Sequence, residues 1–284
     1  MNEKGCLYIV ATPIGNLKDI TLRALDVLRS VDCIAAEDTR HSAGLLNHYL
    51  VNVPMISLHD HNERQQIDGL LQRLHQGQQI ALISDAGTPL ISDPGFALVR
   101  AVRQAGFAVI PIPGPSAVIS ALCASGIPAD KFVFEGFLSH KHLARCQQLK
   151  ELQSEPRSIV FYESPHRIVA AVEDMKAIFG AEREAAIARE LTKKFETIYT
   201  GPLAAIYEWL HENADHQRGE FVVIVRGKEV TSSDEQALDA RSKEVLQVLL
   251  AELPLKQAVQ LATTLTGKRK NELYQWAIEK RGEG

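Results

Sequence analysis

The run Ile80-Ala81-Leu82-Ile83 narrows what this chain can fold into more than any other stretch. A strand with one wet face alternates apolar and polar side chains. A strand apolar on both sides has to be covered on both sides, as in the middle of a parallel sheet with helices above and below. The turn formers Ser84-Asp85-Ala86-Gly87-Thr88-Pro89 end the run abruptly. The same rhythm surrounds it. Leu7–Val10 and Val31–Ala36 read as strands. Leu22, Leu25 and Leu28 share one face of a helix that Asp19 is placed to cap. Leu70, Leu71 and Leu74 mark a polar helix, Phe96–Gln104 another helix, and Ala108–Ile112 a further strand. Strand and helix in alternation predict a doubly wound α/β sheet.

Pro111-Ile112-Pro113-Gly114-Pro115 interrupts that rhythm, because three prolines and a glycine continue neither a strand nor a helix. A domain boundary is expected there, giving units over 1–114 and 115–228. The second unit is also α/β, with antiparallel pairings. It has a small-residue helix over Ser116–Ser125, strands over Phe132–Phe137, Ile159–Tyr162, Ala185–Ala188 and Phe221–Val225, and helices near Lys141–Leu152, Ile168–Phe179 and Leu203–Leu210. Residues 229–240 are polar and read as a linker. Helical periodicity resumes over 241–284, a small appendage resembling a helix-turn-helix.

At 284 residues the chain is long enough for two α/β domains with substantial cores. A net charge of −4 argues against binding nucleic acid through a generally basic surface, so any such contact has to be local. Cys6, Cys33, Cys123 and Cys146 are scattered with no CxxC pair, which supports neither a disulfide framework nor a cysteine-paired zinc site. No stretch approaches the ~20 apolar residues of a membrane helix. Leu7–Val10 is too short, and too soon broken by Pro13 and Gly15, for a signal peptide. A cytoplasmic protein is expected.

In a parallel α/β sheet ligands sit on the loops beyond the carboxyl ends of the strands. Four such loops are rich in Gly, Pro, Ser, Thr and Asp: Thr12–Asn16, Ser84–Pro89, Pro113–Ala117, and the pair Tyr162–Arg167 with Ala188–Lys193. Neither GxGxxG nor GxxxxGK[ST] occurs, so dinucleotide and P-loop fingerprints are absent. Gly87 permits close backbone approach, and Asp85 offers an acceptor for a hydroxyl or a cation. Ser92-Asp93-Pro94-Gly95 reads as a turn with Pro94 at the first position of the next helix. Any one of these loops alone could be only a turn. Glu163, Arg189 and Glu190 beside apolar strands are different, because charges there need a partner or a ligand. His59-Asp60-His61-Asn62-Glu63 looks metal-like but sits at a helix start, and no metal site is expected from it.

The strings TPIGNL (Thr12–Leu17), AEDTR (Ala36–Arg40), SDAGTPLISDPG (Ser84–Gly95), PGPSA (Pro113–Ala117), FYESPHR (Phe161–Arg167) and ARELTKKFE (Ala188–Glu196) resemble, in this order, the ribosomal RNA small subunit methyltransferase I branch of the tetrapyrrole-methylase-like, class III methyltransferases. The resemblance spans essentially the whole chain. It implies two α/β domains with S-adenosylmethionine in the cleft between them, a homodimer, and 2′-O-methylation of a cytidine ribose in the decoding region of 16S-type ribosomal RNA within the small subunit. Relatives acting on tetrapyrroles or diphthine carry Gly-Asp-Pro where this chain has Ser84-Asp85-Ala86. That departure and the basic tail weigh against the alternative of a tetrapyrrole-like substrate, and the retained cofactor loops weigh against the other, a non-enzymatic RNA-binding assembly protein.

Carried over by motif, the resemblance implies cofactor contacts at Pro13, Asp85, Gly87, Thr88, Ser116, Ala117, Tyr162 and Leu191. A 2′-hydroxyl is a poor nucleophile until an acceptor polarises it. Glu190 and Glu163 are the candidates, with a purely structural pairing of Glu190 to Arg189 or Lys193 as the alternative. Arg40, Arg167, Arg189 and Lys193 are expected to hold phosphate. Lys268, Arg269 and Lys270, with Lys256 and Tyr274 nearby, form either an RNA contact or a solvated turn.

Overall fold

The computed structural model describes residues 5–229 and 240–282. The chain divides into a unit over Met1–Gly227 and a unit over Lys228–Gly284. All but the end residues of the expected linker lie outside the described residues.

The first unit holds two five-stranded sheets. The strands of the first are β1 (Cys6–Val10), β2 (Cys33–Ala36), β3 (Met55–Ser57), β4 (Gln79–Ile83) and β5 (Ala108–Ile112), in the order β3-β2-β4-β1-β5 and all parallel. The run Ile80–Ile83 is the central strand. Ala81 and Ile83 pack beneath α1 (Leu22–Ser30) and α2 (Thr39–His48). Ile80 and Leu82 pack beneath α3 (Glu63–His75) and α4 (Phe96–Gln104). Two cores, one per face, explain why no position of Ile80–Ile83 is polar.

The second sheet contains β6 (Phe132–Phe137), β7 (Ser158–Glu163), β8 (Glu184–Arg189), β9 (Thr197–Pro202) and β10 (Phe221–Val225), in the order β6-β7-β10-β8-β9. β10 runs antiparallel to both neighbours, β8 and β9 are antiparallel, and β6 and β7 are parallel. One face is covered by α6 (His142–Glu151), α7 (Ile168–Phe179) and α8 (Leu203–Glu212), and the other by α5 (Ala117–Ser125). Ile14, from the loop after β1, joins the α5 core, so the first loop of one sheet is packed against the other.

Several local expectations change. Thr21, not Asp19, caps α1, its side chain accepting from the Ala24 amide at 3.1 Å, and Leu22 faces solvent. Pro111 does not end β5. It lies opposite Ile9 in an edge strand, where the missing N–H can face away from the sheet. Pro94 is not in a helix, since α4 begins at Phe96 with Gly95 as its cap. Asn62 precedes α3 without capping it. Its side chain instead accepts from His59 and donates to the Ser57 carbonyl.

The second unit is described by itself. α9 (Ala240–Glu252), α10 (Leu255–Thr266) and α11 (Lys270–Gly282) enclose Leu246, Ala258, Val259, Ala262, Leu273 and Ala277. Gly267 ends α10 in the left-handed conformation at φ 69°, which lets the chain turn into α11. No helix among the described residues is long and apolar enough to cross a membrane.

Candidate active site

A cleft of about 480 Å³ opens between the two sheets of the first unit. That is within the roughly 300–1,000 Å³ usual for small-molecule sites. The first sheet contributes Ile14, Glu37 and the segments 85–88 and 91–93; the second contributes Ser116, Ala117, Phe137, the segment 162–165, Ala188, Leu191 and 220–222.

The loop after β4 is held from three sides. Thr12 and Gly87 exchange backbone hydrogen bonds at 2.8 and 3.1 Å, and the Thr12 hydroxyl donates to the Ser84 carbonyl at 3.2 Å. The Thr88 hydroxyl donates to the Pro115 carbonyl at 3.1 Å. Gly87 sits at φ 81°, and a Cβ there would come within 3.3 Å of Ile14. The conformation and the close packing both call for glycine. Beyond it the loop holds Leu90 at φ 74° and Ser92 at φ 67°. Across the cleft Glu190 at φ 52° and Thr192 at φ 65° are similarly placed. Left-handed non-glycine residues in two facing loops are the kind of strain that functional sites retain.

The first wall is acidic. Burial pushes Asp93 up to about 6, with Asp85 and Asp60 adding repulsion and a hydrogen bond from Ser84 partly opposing it. Burial likewise raises Glu37, with Asp93 and Asp85 adding to it. Asp85 is not free, since its Oδ1 accepts the Asp38 amide at 3.0 Å and so fixes the start of α2. The second wall is mainly apolar. Tyr162 packs edge-on to Phe134 and tilted against Phe137, and burial pushes its hydroxyl up to about 12. Glu163 lies in this wall with a side chain only 1% exposed. Its Oε1 pairs with Arg167 at 2.7 Å and accepts the Ser164 amide at 2.8 Å.

A family model described as Tetrapyrrole (Corrin/Porphyrin) Methylases matches residues 6–207, and a second, described as RsmI C-terminal HTH domain, matches residues 236–281. The chain is 51% identical to the ribosomal RNA small subunit methyltransferase I of Pseudomonas aeruginosa, over 98% of this chain and 99% of that one. It is 52% identical to the enzyme of the same name from Vibrio cholerae, over 99% and 97%. The chain belongs to the ribosomal RNA small subunit methyltransferase I family, within the tetrapyrrole methylases. Among solved structures, that of a diphthine synthase superposes with a TM-score of 0.62 at 15% identity, covering 81% of this chain and 92% of that one. This likeness shows the fold of the methylase family and no more.

In this member of the family, the residues expected at the cofactor separate into two groups. Asp85, Gly87, Thr88, Ser116, Ala117, Tyr162 and Leu191 all line the cleft. Pro13 does not; its neighbour Ile14 takes that place.

The charged residues fare differently. Glu190 is not among the lining residues. Its Oε1 accepts from Lys193 Nζ at 2.9 Å and the Glu220 amide at 3.0 Å. Burial opposes its ionisation, but these donors outweigh that and hold its carboxyl below the ordinary value. Arg189 is buried, donating from Nε to the Arg218 carbonyl at 2.6 Å and from Nη1 to the Phe195 carbonyl at 3.0 Å. Lys193 bridges Glu190 and Glu220. Arg167 is divided among Glu163, Ser164 and the Leu138 carbonyl. These cations brace loops. Arg40 is the contrast, its side chain 90% exposed and held, among the described residues, by Asp38 alone at the same helix start.

Glu37 and Asp93 are the residues that sequence reasoning missed. Asp93 lies in a Ser-Asp-Pro-Gly string that looks like a turn, and Glu37 lies in a strand-to-helix connection. The one available signal was that each sits in a string shared with the family.

In the second unit Lys256, Lys270 and Tyr274 come together around a groove also lined by Gln257 and Gln260. Arg269 and Lys270 are exposed and Lys268 is half-buried.

Proposed function

We propose that the chain is an S-adenosylmethionine-dependent methyltransferase that modifies the 2′-oxygen of a cytidine ribose in the decoding region of 16S-type ribosomal RNA, in the cytoplasm and as a homodimer. One observation carries this reading: a cleft with an acidic wall facing an aromatic one, in a chain half identical to enzymes named for methylating small-subunit ribosomal RNA.

The residues present suit the cofactor. Ala86, Gly87, Ala117 and Ala188 leave room for a close-fitting ligand, and the carboxylates of the first wall match an ammonium and a sulfonium. Tyr162 and Phe137 offer apolar faces to a purine. When bound, S-adenosylmethionine supplies a methyl group already activated by a positively charged sulfur.

The remaining chemistry is positioning and proton transfer, which this chain's residues perform. Asp93 is the acceptor for the ribose hydroxyl proton. It faces the cleft, and a pKa of about 6 makes it a stronger base than an ordinary carboxylate while leaving it ionised near neutrality. Glu163 is a positioning residue, holding Arg167 and the 162–167 loop. Arg40, three residues from Glu37, is exposed and, among the described residues, paired only with Asp38, so a phosphate can share its guanidinium. The groove of the second unit, with Lys256, Lys270 and Tyr274, provides a further backbone contact.

Incubation with methyl-labelled cofactor and either small-subunit particles, naked ribosomal RNA or a uroporphyrinogen tests this reading. Label is expected in the RNA as an alkali-resistant ribose methyl. Label in the tetrapyrrole alone overturns the substrate assignment, and no cofactor binding in calorimetry overturns the enzyme.

A further inference from the structure

Away from the cleft, on the helical face of the second sheet, three potential metal ligands converge. His142 and Cys146 are one turn apart on α6, and Asp174 projects from α7, which packs beside it. Cys146 Sγ lies 3.3 Å from His142 Nδ1, and His142 Nδ1 lies 3.8 Å from Asp174 Oδ2. One ligand atom from each residue falls within 4.8 Å of the others. We propose that His142, Cys146 and Asp174 form a zinc-binding site with an open fourth position.

The geometry is close to what zinc requires. Bond lengths of about 2.3 Å to sulfur and 2.0–2.2 Å to nitrogen and oxygen, at tetrahedral angles, put neighbouring ligand atoms roughly 3.3–3.6 Å apart. The sulfur–nitrogen and nitrogen–oxygen separations already bracket that range, so rotamer adjustment suffices. The spacing is a consequence of the helix, since residues four apart share a face. α6 and α7 are fixed against each other by Leu149, Val172 and Met175 in the core of the second sheet. Sequence reasoning looked for paired cysteines and passed over this group because its third member comes from another helix.

The surroundings favour a metal in two further ways. Arg145 is buried and donates from Nε to Asp174 Oδ2 at 2.7 Å, fixing the carboxylate's direction. A carboxylate oxygen has a second lone pair, so a ligating oxygen that also accepts a hydrogen bond is an ordinary outer-shell arrangement. The side chain of His142 is 65% exposed, which leaves an entry path and room for a water as fourth ligand. A thiolate with an imidazole selects zinc over magnesium or calcium.

Binding is an exchange of a proton for the metal. The Cys146 S–H bond breaks, the sulfur electron pair forms the zinc–sulfur bond, and the proton passes to solvent; a neutral imidazole and an ionised carboxylate bind without further proton loss. A free thiol is mostly protonated at neutral pH, so about one proton is released per zinc. The ion would fasten the first turn of α6 to the middle of α7. α7 directly follows the 163–167 loop, and Arg167 in that loop also donates to the Leu138 carbonyl ahead of α6. The site therefore clamps the segment on which the second wall of the cleft rests.

The test uses the full chain, reduced and stripped with chelator, titrated with zinc against a chromophoric chelator. One tight equivalent is expected. Cys146→Ser and His142→Ala should each weaken it by more than about 100-fold, beyond the cost of losing an outer-shell partner. Both side chains are at least partly exposed, and circular dichroism checks that the variants fold. Cobalt in place of zinc should give a thiolate-to-metal charge-transfer band that disappears in Cys146→Ser. In a Cys123→Ser background, zinc should slow maleimide labelling of Cys146. Equal zinc affinity in the wild type and both variants, or no charge-transfer band in the wild type, overturns the site.

Discussion

The two walls of the cleft are built on opposite plans. In the first sheet every strand points the same way, so every strand-to-helix loop emerges at one edge and polar loop residues collect there. Glu37, Asp85 and Asp93 come from two such loops. In the second sheet the antiparallel β10 lies between β7 and β8, so strand starts alternate with strand ends along the edge. Phe221 and Val222 reach the cleft from the beginning of a buried strand and bring apolar side chains. The carboxylates of the first wall repel one another, whereas Glu163 and Glu190 in and behind the second are matched by Arg167 and Lys193. On the proposed function, unmatched charge marks the wall that does chemistry, and matched charge the wall that gives shape.

The change that probes this contrast hardest is Asp93→Asn. It keeps size and hydrogen bonding but removes the base, and a loss of about 10²–10⁴-fold in single-turnover rate is expected. With the wild type, kcat/KM should fall as pH drops through about 6, because the ionised form of Asp93 is the active one and protonation removes it. A flat profile between pH 5 and 8 together with near wild-type turnover of Asp93→Asn would show that orientation alone suffices.

Ala117→Trp fills the second wall where α5 begins. Overpacking of about 1–3 kcal/mol corresponds to a roughly 5–150-fold loss of cofactor affinity in a folded protein, read by calorimetry. Unchanged affinity would remove the cofactor from this wall.

Removing residues after Gly227 is expected to leave cofactor affinity intact and to lower kcat/KM on small-subunit particles by about tenfold, with a shallower salt dependence. Equal activity of both forms across salt concentrations would take the RNA contact away from the second unit.

Gly87→Ala is expected to cost about 1–2 kcal/mol of stability, because a left-handed alanine is strained and the added carbon presses on Ile14. A melting temperature equal to wild type would show that the loop can relax. The smallest effect is expected from Glu190→Gln, within about threefold in rate, since its carboxylate braces a loop through a partly exposed ion pair. A loss of two orders of magnitude there would reverse the assignment of the walls.

Much of this contrast was legible before the structure. Ile80–Ile83 announced a strand covered on both faces, and the family strings located seven residues of the cleft. What escaped was set by contacts distant in sequence. β9 went unread because it is a half-exposed edge strand containing Gly201 and Pro202, with no alternation strong enough to stand out. Arg189 was read as a phosphate ligand, and Glu190 either as an acceptor for the hydroxyl or as a structural partner of Arg189 or Lys193; the ion pair with Lys193 is the second of these. Besides the near partners Phe195 and Lys193, each has one about thirty residues on, Arg218 for Arg189 and Glu220 for Glu190, which meets it only when β10 returns beside β8. Asp93 was read as a turn, and only the fold places it near Asp85, Asp60 and Tyr162.

The position of β1 between β4 and β5 has a consequence for biosynthesis. As the chain leaves the ribosome, Cys6–Val10 emerges well ahead of both its partners, which follow at least seventy residues later. β2 and β3 can pair with each other while β1 still waits, an apolar segment with unsatisfied backbone groups on both edges. Long-range parallel pairing of this kind is slow and leaves such segments open to aggregation. A strand translated early is thus secured late, and in the interval Leu7–Val10 is a segment that a holding chaperone has reason to grip.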